Sequence, residues 1–573
     1  MGRVPHVPWL ALVLAVIGVG QTMATTLWRE NAENGYANII DNTSPTYPLI
    51  QSDVVAEGNY AFHLANPSFQ DNWFVIDQTL QLQPDTKLFF FSRLRYATSS
   101  QVARVQISTD GGNTWPTNIF NQAGNNGPGE GAFSLKEINL GSYANQNVRF
   151  RFYYDFTGGS AYTGTSSLEG WFIDDIQIGS AFQKTQWSIG NPTAHEQLYL
   201  EYINRARADA LAEAQRLRNE TDPQIQAAYS YFGVEGQNIE NQFTWYVENG
   251  AMHRFAQPLS FQPQLLQAAQ LHTQDMFQNQ FQGHTSSNNP PSPFQPGYTL
   301  SQRLAAVGYS GTSFAENVFS RSESVAYGHA GFDVDWGNLS NPTAPFYNPA
   351  FDGQGMQNPA GHRRNIHNNV YKEIGLGVIN GTNGSVGPQL VTQVFANPGS
   401  IRYITGVVYE DLNSNNLYDI GEGRSGVRVD VDGSFYYAVS SDSGAYSVPV
   451  PQDGTYSVIF SGGGYQTFST TATILNGLNT KLDYLVSPMT LLPGDFNGDG
   501  IVDTADYVAW LRSDGTSDGY NTWRVNFGRV AGIGSATVNR DNLAGVPEPT
   551  TGLLLLWAAA AIIFLVRHPS LLR

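Results

Sequence analysis

At 573 residues the chain is too long for one hydrophobic core, which points to several domains. Its formal charge of −18, from 30 Lys+Arg against 48 Asp+Glu, supplies no basic footprint for phosphate and argues against nucleic acid as a partner. Cysteine is absent, so neither disulfides nor thiolates are available, and a charged fraction of 14% with 58 Gly, 29 Tyr and 32 Phe reads as exported and β-rich.

In chain order, Arg3, an apolar run from Trp9 to Val19 and the small residues up to Ala24 have the layout of a secretory signal over residues 1–24. Residues 25–180 carry strand signals throughout. From Val148 to Phe156 apolar side chains fall on alternate positions, as a strand with one buried face requires. The phrases from Ser108 to Trp115 and from Gly170 to Ile176 resemble jelly-roll sandwiches of MAM or concanavalin type. There, Asp174 and Asp175 read either as a calcium pair or as solvated acids at a strand edge. A linker follows over 181–191. Thr193 and Glu196 then form a capping box for a helix expected to run to about Leu217. Residues 219–257 read as an insertion.

The centre of the chain is the stretch from Pro258 to Phe395. His284, Glu316 and His362 lie in three separate segments of it, so only a fold unites them. Leu265, Ala269, His272 and Met276 share one helix face, which makes His272 a packed core residue. Neutral imidazoles and a carboxylate suit a divalent ion such as zinc, and equally a hydrogen-bonded polar knot. No zinc-protease motif is present at His362 and His367, because their spacing of five diverges on a helix. The Gly-x-Ser-x-Gly match at Gly515 to Gly519 lacks the strand and helix of a nucleophile elbow.

The segments from Asn204 to Arg207, Gln302 to Tyr309, Ala315 to Asn317, Pro359 to Ile366, Tyr371 to Val378 and Gln389 to Phe395 together resemble the bacterial form of the CAP superfamily. That resemblance implies an αβα sandwich over residues 190–400. It also implies that His284, Glu316 and His362 line a cavity able to hold zinc or another divalent metal. The family's second glutamate, just after the tryptophan of the next helix, is missing, since Trp336 is followed by Gly337 and Asn338. Glu323, Asp333 and Asp335 are all substitutes by composition, and spacing selects none of them.

Strand patterns return over 401–488, which resembles the prealbumin-like B domains of surface adhesins. Asp411, Asn413, Asn415, Leu417 through its carbonyl, Asp419 and Glu422 occupy calcium-loop positions there. Over 493–530, Asp495, Asn497, Asp499, Ile501, Asp503 and Asp506 give a sharper calcium loop that resembles a type I dockerin repeat. Its second repeat is degraded, which leaves a cohesin partner and a calcium-stiffened spacer both open. Last, Val546-Pro-Glu-Pro549 and the apolar run 552–566 before Arg567 resemble a PEP-CTERM sorting signal over 546–573, which implies an exosortase-type processing enzyme and a membrane segment.

The expected architecture is therefore multidomain: an α/β CAP core, an αβα sandwich, flanked by all-β sandwich domains and a small helical calcium-binding repeat. The expected protein is exported and directed to the cell surface. The leading expectation is a binding module for a small apolar or metal-linked ligand, with a lipid or glycan as candidates. The alternatives are a metal-assisted hydrolase and a dockerin-borne component of an extracellular polysaccharide-processing assembly.

Overall fold

The computed structural model describes residues 26–486, 492–496, 502–513 and 515–529. The expected signal segment 1–24, the ligands Asn497, Asp499 and Ile501, and the sorting tail 546–573 with its apolar run 552–566 lie outside the described residues. Among the described residues no helix is long and apolar enough to cross a membrane. The chain divides into two compact units, one up to Gln186 with residues 433–436 and 449–452, the other comprising the remainder.

The first unit is a β-sandwich of two six-stranded sheets. Alternation along Asn147–Phe156 sends Val148, Phe150, Phe152 and Tyr154 inward, where they meet Phe62, Phe90 and Trp171 from the other sheet. The strand Gly170–Gly179 is buried along its whole length. Asp174 and Asp175 are therefore not at a solvent edge. A bulge with Asp175 at φ 41° turns both acids inward. Asp174 Oδ2 accepts the amides of Ala56 (2.8 Å) and Glu57 (3.0 Å), and Asp175 pairs with Arg29 at 2.6 Å. Neither acid offers an open pair of oxygens to an ion.

In the second unit the CAP-like stretch opens with α1 (Ala194–Ala208), whose capping box joins Thr193 and Glu196. The helix does not run on to Leu217. Asp209 is extended (φ −156°, ψ 103°) and its carboxylate accepts the amides of Leu211 and Ala212, so the chain stops and restarts as α2 (Ala210–Arg218). The insertion is helical: α3 (Pro223–Phe232) begins behind the Asp222 cap, and α4 (Gly236–Glu248) follows. With α2 they enclose a core of Leu217, Ile225, Tyr229, Ile239, Phe243 and Tyr246, closed by Trp336, Phe351 and Met356. The insertion thus buttresses the segment leading to His362.

Next come β1 (Ser260–Phe261), α5 (Pro263–Gln278), α6 (Leu300–Ala306), β2 (Ser313–Ser322) and α7 (Val325–Ala330). A single π turn, Gly331–Asp335, precedes α8 (Gly361–Ile366), β3 (Glu373–Asn380) and β4 (Gln389–Asn397). The sheet order is β1-β3-β4-β2, with β4 antiparallel to both neighbours and β2 at an edge. Val394 and Ala396 pack with Leu265 and Ala269 of α5, whereas Val391 and Phe395 pack with Tyr199, Ile203 and Ile366 from α1 and α8. Helices therefore cover both faces, as the αβα expectation has it. Gly375 and Gly377 let α5 lie directly on β3, since a Cβ at these positions would sit 2.0 Å from the Leu265 carbonyl oxygen and 2.4 Å from that of Ala269.

Residues 401–486, apart from 433–436 and 449–452 of the first unit, form a β domain in which Val427–Val431 and Gly454–Gly462 pair antiparallel, with Phe468–Ile474 beyond them. It is fastened to the CAP-like stretch: Asn479 donates to the Gln257 side chain and to the carbonyls of Pro258 and Lys372, Ser260 bonds Ser447 at 2.6 Å, and Lys481 pairs with Glu201 at 2.9 Å. Further on, Thr504–Ser513 and Ser517–Asn526 are two short helices joined by a cluster of Tyr507, Trp510, Tyr520 and Trp523.

Candidate functional site

Glu316 and Asn317 are neighbours on edge strand β2, so their side chains leave opposite faces of the sheet. Glu316 lies opposite Val394 on the α5 face, and Asn317 lies opposite Gln393 on the α8 face. Each organises one histidine.

On the α5 face, His284 Nδ1 meets Glu316 Oε1 at 3.0 Å, and Arg303 from α6 bonds Glu316 Oε2. Arg303 is fully buried, and its second guanidinium nitrogen reaches the His284 carbonyl (3.1 Å) and His272 Nδ1 (3.1 Å). His272 is a buried core residue, as expected, with its other nitrogen 2.8 Å from the Gly283 carbonyl. Burial by itself raises the Glu316 carboxyl, but the His284 bond and the charges of His272 and Arg303 outweigh it and hold the group below its ordinary value. Glu316 therefore stabilises the fold above the ordinary carboxylate range, and that contribution is lost as pH falls through the lowered value. The His284 side chain remains 59% exposed, so its ring is backed by a buried carboxylate and open to solvent.

On the other face, His362 lies in the first turn of α8 and sits on Asp335, the last residue of the π turn. Asp335 Oδ1 lies 2.7 Å from His362 Nδ1, and Asp335 Oδ2 accepts the His362 amide at 2.9 Å. Asp335 holds φ at +58°, a conformation Asp tolerates better than most residues, and Phe332 packs edge-on to the imidazole. Asn317 ties this half to the strand, donating to the His362 carbonyl (3.3 Å) and Gln393 (3.0 Å) and accepting from Asn365 (2.9 Å). Of the three acids left open by the sequence, Asp335 is the one that partners His362. Asp333 points instead to His367, at 2.8 Å.

Burial lowers the His362 imidazole, yet the Asp335 charge and hydrogen bond outweigh it and raise the group above its ordinary value. The pair consequently stabilises the fold fully below the ordinary histidine range and loses that contribution as pH rises through the raised value. For Asp335→Asn we expect the His362 ring titration, followed by NMR, to move to lower pH. An unmoved titration would show that Asp335 does not set it.

Two histidine–carboxylate pairs thus stand at the edge strand. In each the carboxylate holds Nδ1 and leaves Nε2 as the nitrogen that meets a ligand, the arrangement that orients imidazoles in metal sites. Glu316 itself has both oxygens engaged, by His284 and Arg303, so the local geometry makes it a support for His284. Among the described residues, the trio whose ligand atoms all fall within 4.8 Å is Glu213, His329 and Asp333, and not His284, Glu316 and His362. The sequence pattern marked His284, Glu316 and His362. It gave Arg303 no role, although its position one residue after Gln302 in the recognisable segment was the available signal.

The loop from Asp411 to Glu422 in the β domain is wound around its acids. Asp411 accepts the amides of Asn415 (3.1 Å) and Asn416 (2.8 Å), and Asp419 Oδ2 accepts the side-chain amides of Asn413 and Asn415 at 2.7 Å each. Asn416 takes φ 59°, the left-handed conformation its place in the loop demands. Glu422 closes the ring by accepting from Leu412 and Asp419, and the Leu417 amide bonds Asn415. In the second loop, Asp495, Asp503 and Asp506 are described, and Asp506 accepts the Asp503 amide at 2.8 Å.

A layered αβα domain with paired histidines at an edge strand is the class these features define. Residues 200–395 match the family model of the cysteine-rich secretory protein family, CAP, so the chain carries a CAP domain within a longer multidomain protein. No curated protein matches the chain. Solved structures similar to parts of it include the K3 cleaved adhesin domain of Lys-gingipain from Porphyromonas gingivalis W83 (16% identity, 27% of this chain and 98% of that one, TM-score 0.21). Others are the CBM22-2 xylan-binding domain of Paenibacillus barcinonensis Xyn10C (12%, 27% and 99%, 0.21) and a cohesin–X-dockerin complex of Acetivibrio cellulolyticus (17%, 23% and 97%, 0.15). Scores this low bear on neither ligand nor partner.

Proposed function

We propose that the CAP domain is a binding module, taking a small apolar or metal-linked ligand at the edge of β2, where His284 and His362 each present Nε2, in an exported protein directed to the cell surface. The observation that carries this reading is the full engagement of both carboxylates: Glu316 is held by His284 and Arg303, and Asp335 by the ring and amide of His362. A hydrolytic cycle needs a group to take a proton from water and return it to the leaving group. Each acid has both oxygens hydrogen-bonded and serves to orient an imidazole, so ligation falls to the rings. Lipid extraction and metal analysis of the purified chain test the reading. Bound lipid or metal that is diminished in His284→Ala, without turnover of ester or peptide substrates, is the expected result. Metal-dependent cleavage abolished by His284→Ala would establish the hydrolase instead, a reading favoured only by the same backing of imidazole by carboxylate.

In this reading the β domain and the two-helix segment are calcium-stiffened spacers, with a cohesin or another surface protein as the partner of the second. The tail 546–573 is an exosortase substrate. For the loop at Asp411 to Glu422, calcium displaces the amides now satisfying Asp411 and Asp419. Chelation is expected to lower the unfolding temperature of the β domain by several degrees, and Asp419→Ala to remove that response. Identical melting with and without chelator would overturn the calcium assignment.

A further inference from the structure

We propose that Glu213, His329 and Asp333 form a second, buried site for a divalent transition-metal ion, with His367 beside them as a fourth donor. The site shares no residue with the His284 and His362 pairs, so it goes beyond the reading above.

Four chain segments converge here: α2 supplies Glu213, α7 His329, the π turn Asp333, and the residue capping α8 His367. His329 and Asp333 are four apart, which stacks them along one side of the α7–π-turn segment. One ligand atom from each of Glu213, His329 and Asp333 falls within 4.8 Å of the other two. Ligand atoms around a tetrahedral ion with bonds of about 2.0–2.2 Å lie about 3.4 Å apart, so the trio closes around an ion by contracting from separations of at most 4.8 Å. His329 Nε2 is 2.9 Å from Glu213 Oε1, and His367 Nε2 is 2.8 Å from Asp333 Oδ1.

These side chains are buried, and the cluster is unsatisfied. His329 Nδ1, Asp333 Oδ2 and His367 Nδ1 are buried without a hydrogen-bond partner. Orphaned polar atoms in a core are rare and costly, and three on adjoining residues mark a place where something else binds. The charges are unevenly compensated. Arg205 and Arg216, each about one-third exposed (33% and 34%), hold Glu213 from the rim. Arg216 and the buried Arg363 lie within electrostatic reach of Asp333, yet His367 is what bonds its carboxylate, and Oδ2 is left as the anionic oxygen that a metal ion would satisfy. Two imidazoles with two carboxylates suit zinc and its neighbours rather than calcium, which takes oxygen.

The test uses the full chain with zinc as the probe. After treatment with chelator and dialysis, the wild type is loaded with zinc and its metal content measured by mass spectrometry; His284→Ala, His329→Gln and Asp333→Asn are treated alike. The expected result is stoichiometric zinc in the wild type and in His284→Ala, lost in His329→Gln and Asp333→Asn, with a thermal stabilisation by zinc that disappears in the same two variants. Should those variants not fold, the His284→Ala variant still decides, because cobalt in place of zinc gives visible ligand-field bands of a nitrogen–oxygen site when the first histidine pair is disabled. A folded wild type that takes up no zinc, or zinc lost only in His284→Ala, overturns the proposal. The second outcome would place the ion in the CAP cleft and leave the reading of that cleft intact.

Discussion

Replacing Gly375 with Ala is expected to cost at least the upper end of the roughly 1–3 kcal/mol typical of overpacking, and Gly377→Ala nearly as much. The added methyl at 375 would lie 2.0 Å from backbone atoms of Leu265, and at 377 it would lie 2.4 Å from the Ala269 carbonyl oxygen. Backbone of a helix pinned between β3 and its own neighbours cannot rotate away as a flexible side chain can. Relief requires α5 to lift off the sheet, which parts Leu265 and Ala269 from Val394 and Ala396. It also moves His272, and with it the Arg303 contacts that hold Glu316. Urea unfolding of the second unit, read by tryptophan fluorescence, measures the effect. A loss under 1 kcal/mol for Gly375→Ala would mean that the helix does not ride directly on the strand.

The second large effect is expected for Arg303→Met. Arg303 is fully buried and joins α6 to Glu316, His272 and the His284 carbonyl. Removing one partner of a buried pair leaves the other charge uncompensated and costs about 3–5 kcal/mol. The buried Glu316 carboxylate would be that charge. We expect the loss to be largest at neutral pH and to shrink in acid, where Glu316 takes a proton and needs no guanidinium. Glu316→Gln on the Arg303→Met background should therefore recover part of the stability. A double variant no more stable than Arg303→Met would sink the account, because it would place the cost of the single change in packing.

How far this was legible beforehand depends on the range of the interactions. Local signals carried well: the alternation from Val148 to Phe156, the Thr193 cap, and the shared face that buries His272 all act within a few residues. Asp209 was misjudged because its side chain ends one helix and starts the next, a competition that periodicity alone does not resolve. Glu316 and the histidines were visible as chemistry, but not their division between two sheet faces. That division follows from the parity of positions along β2 and from which face each helix covers. Asp335 could not be chosen over Glu323 or Asp333, since all three are acids and only the π turn directs one to His362 and another to His367. The inward turn of Asp174 and Asp175 depended on a bulge that no pattern of residue types announces.

The fastening of the β domain to the CAP core has a mechanical consequence. Tyr403, just past β4, donates to Glu373 at the start of β3, and Tyr309 from the segment before β2 donates to the same carboxylate at 2.7 Å. A pull applied from the carboxy-terminal side would therefore load the central strand of the sheet through one shared acid before it stretched the link at Pro398 to Ile401. That acid therefore joins the first strand of the β domain to the segment that feeds β2.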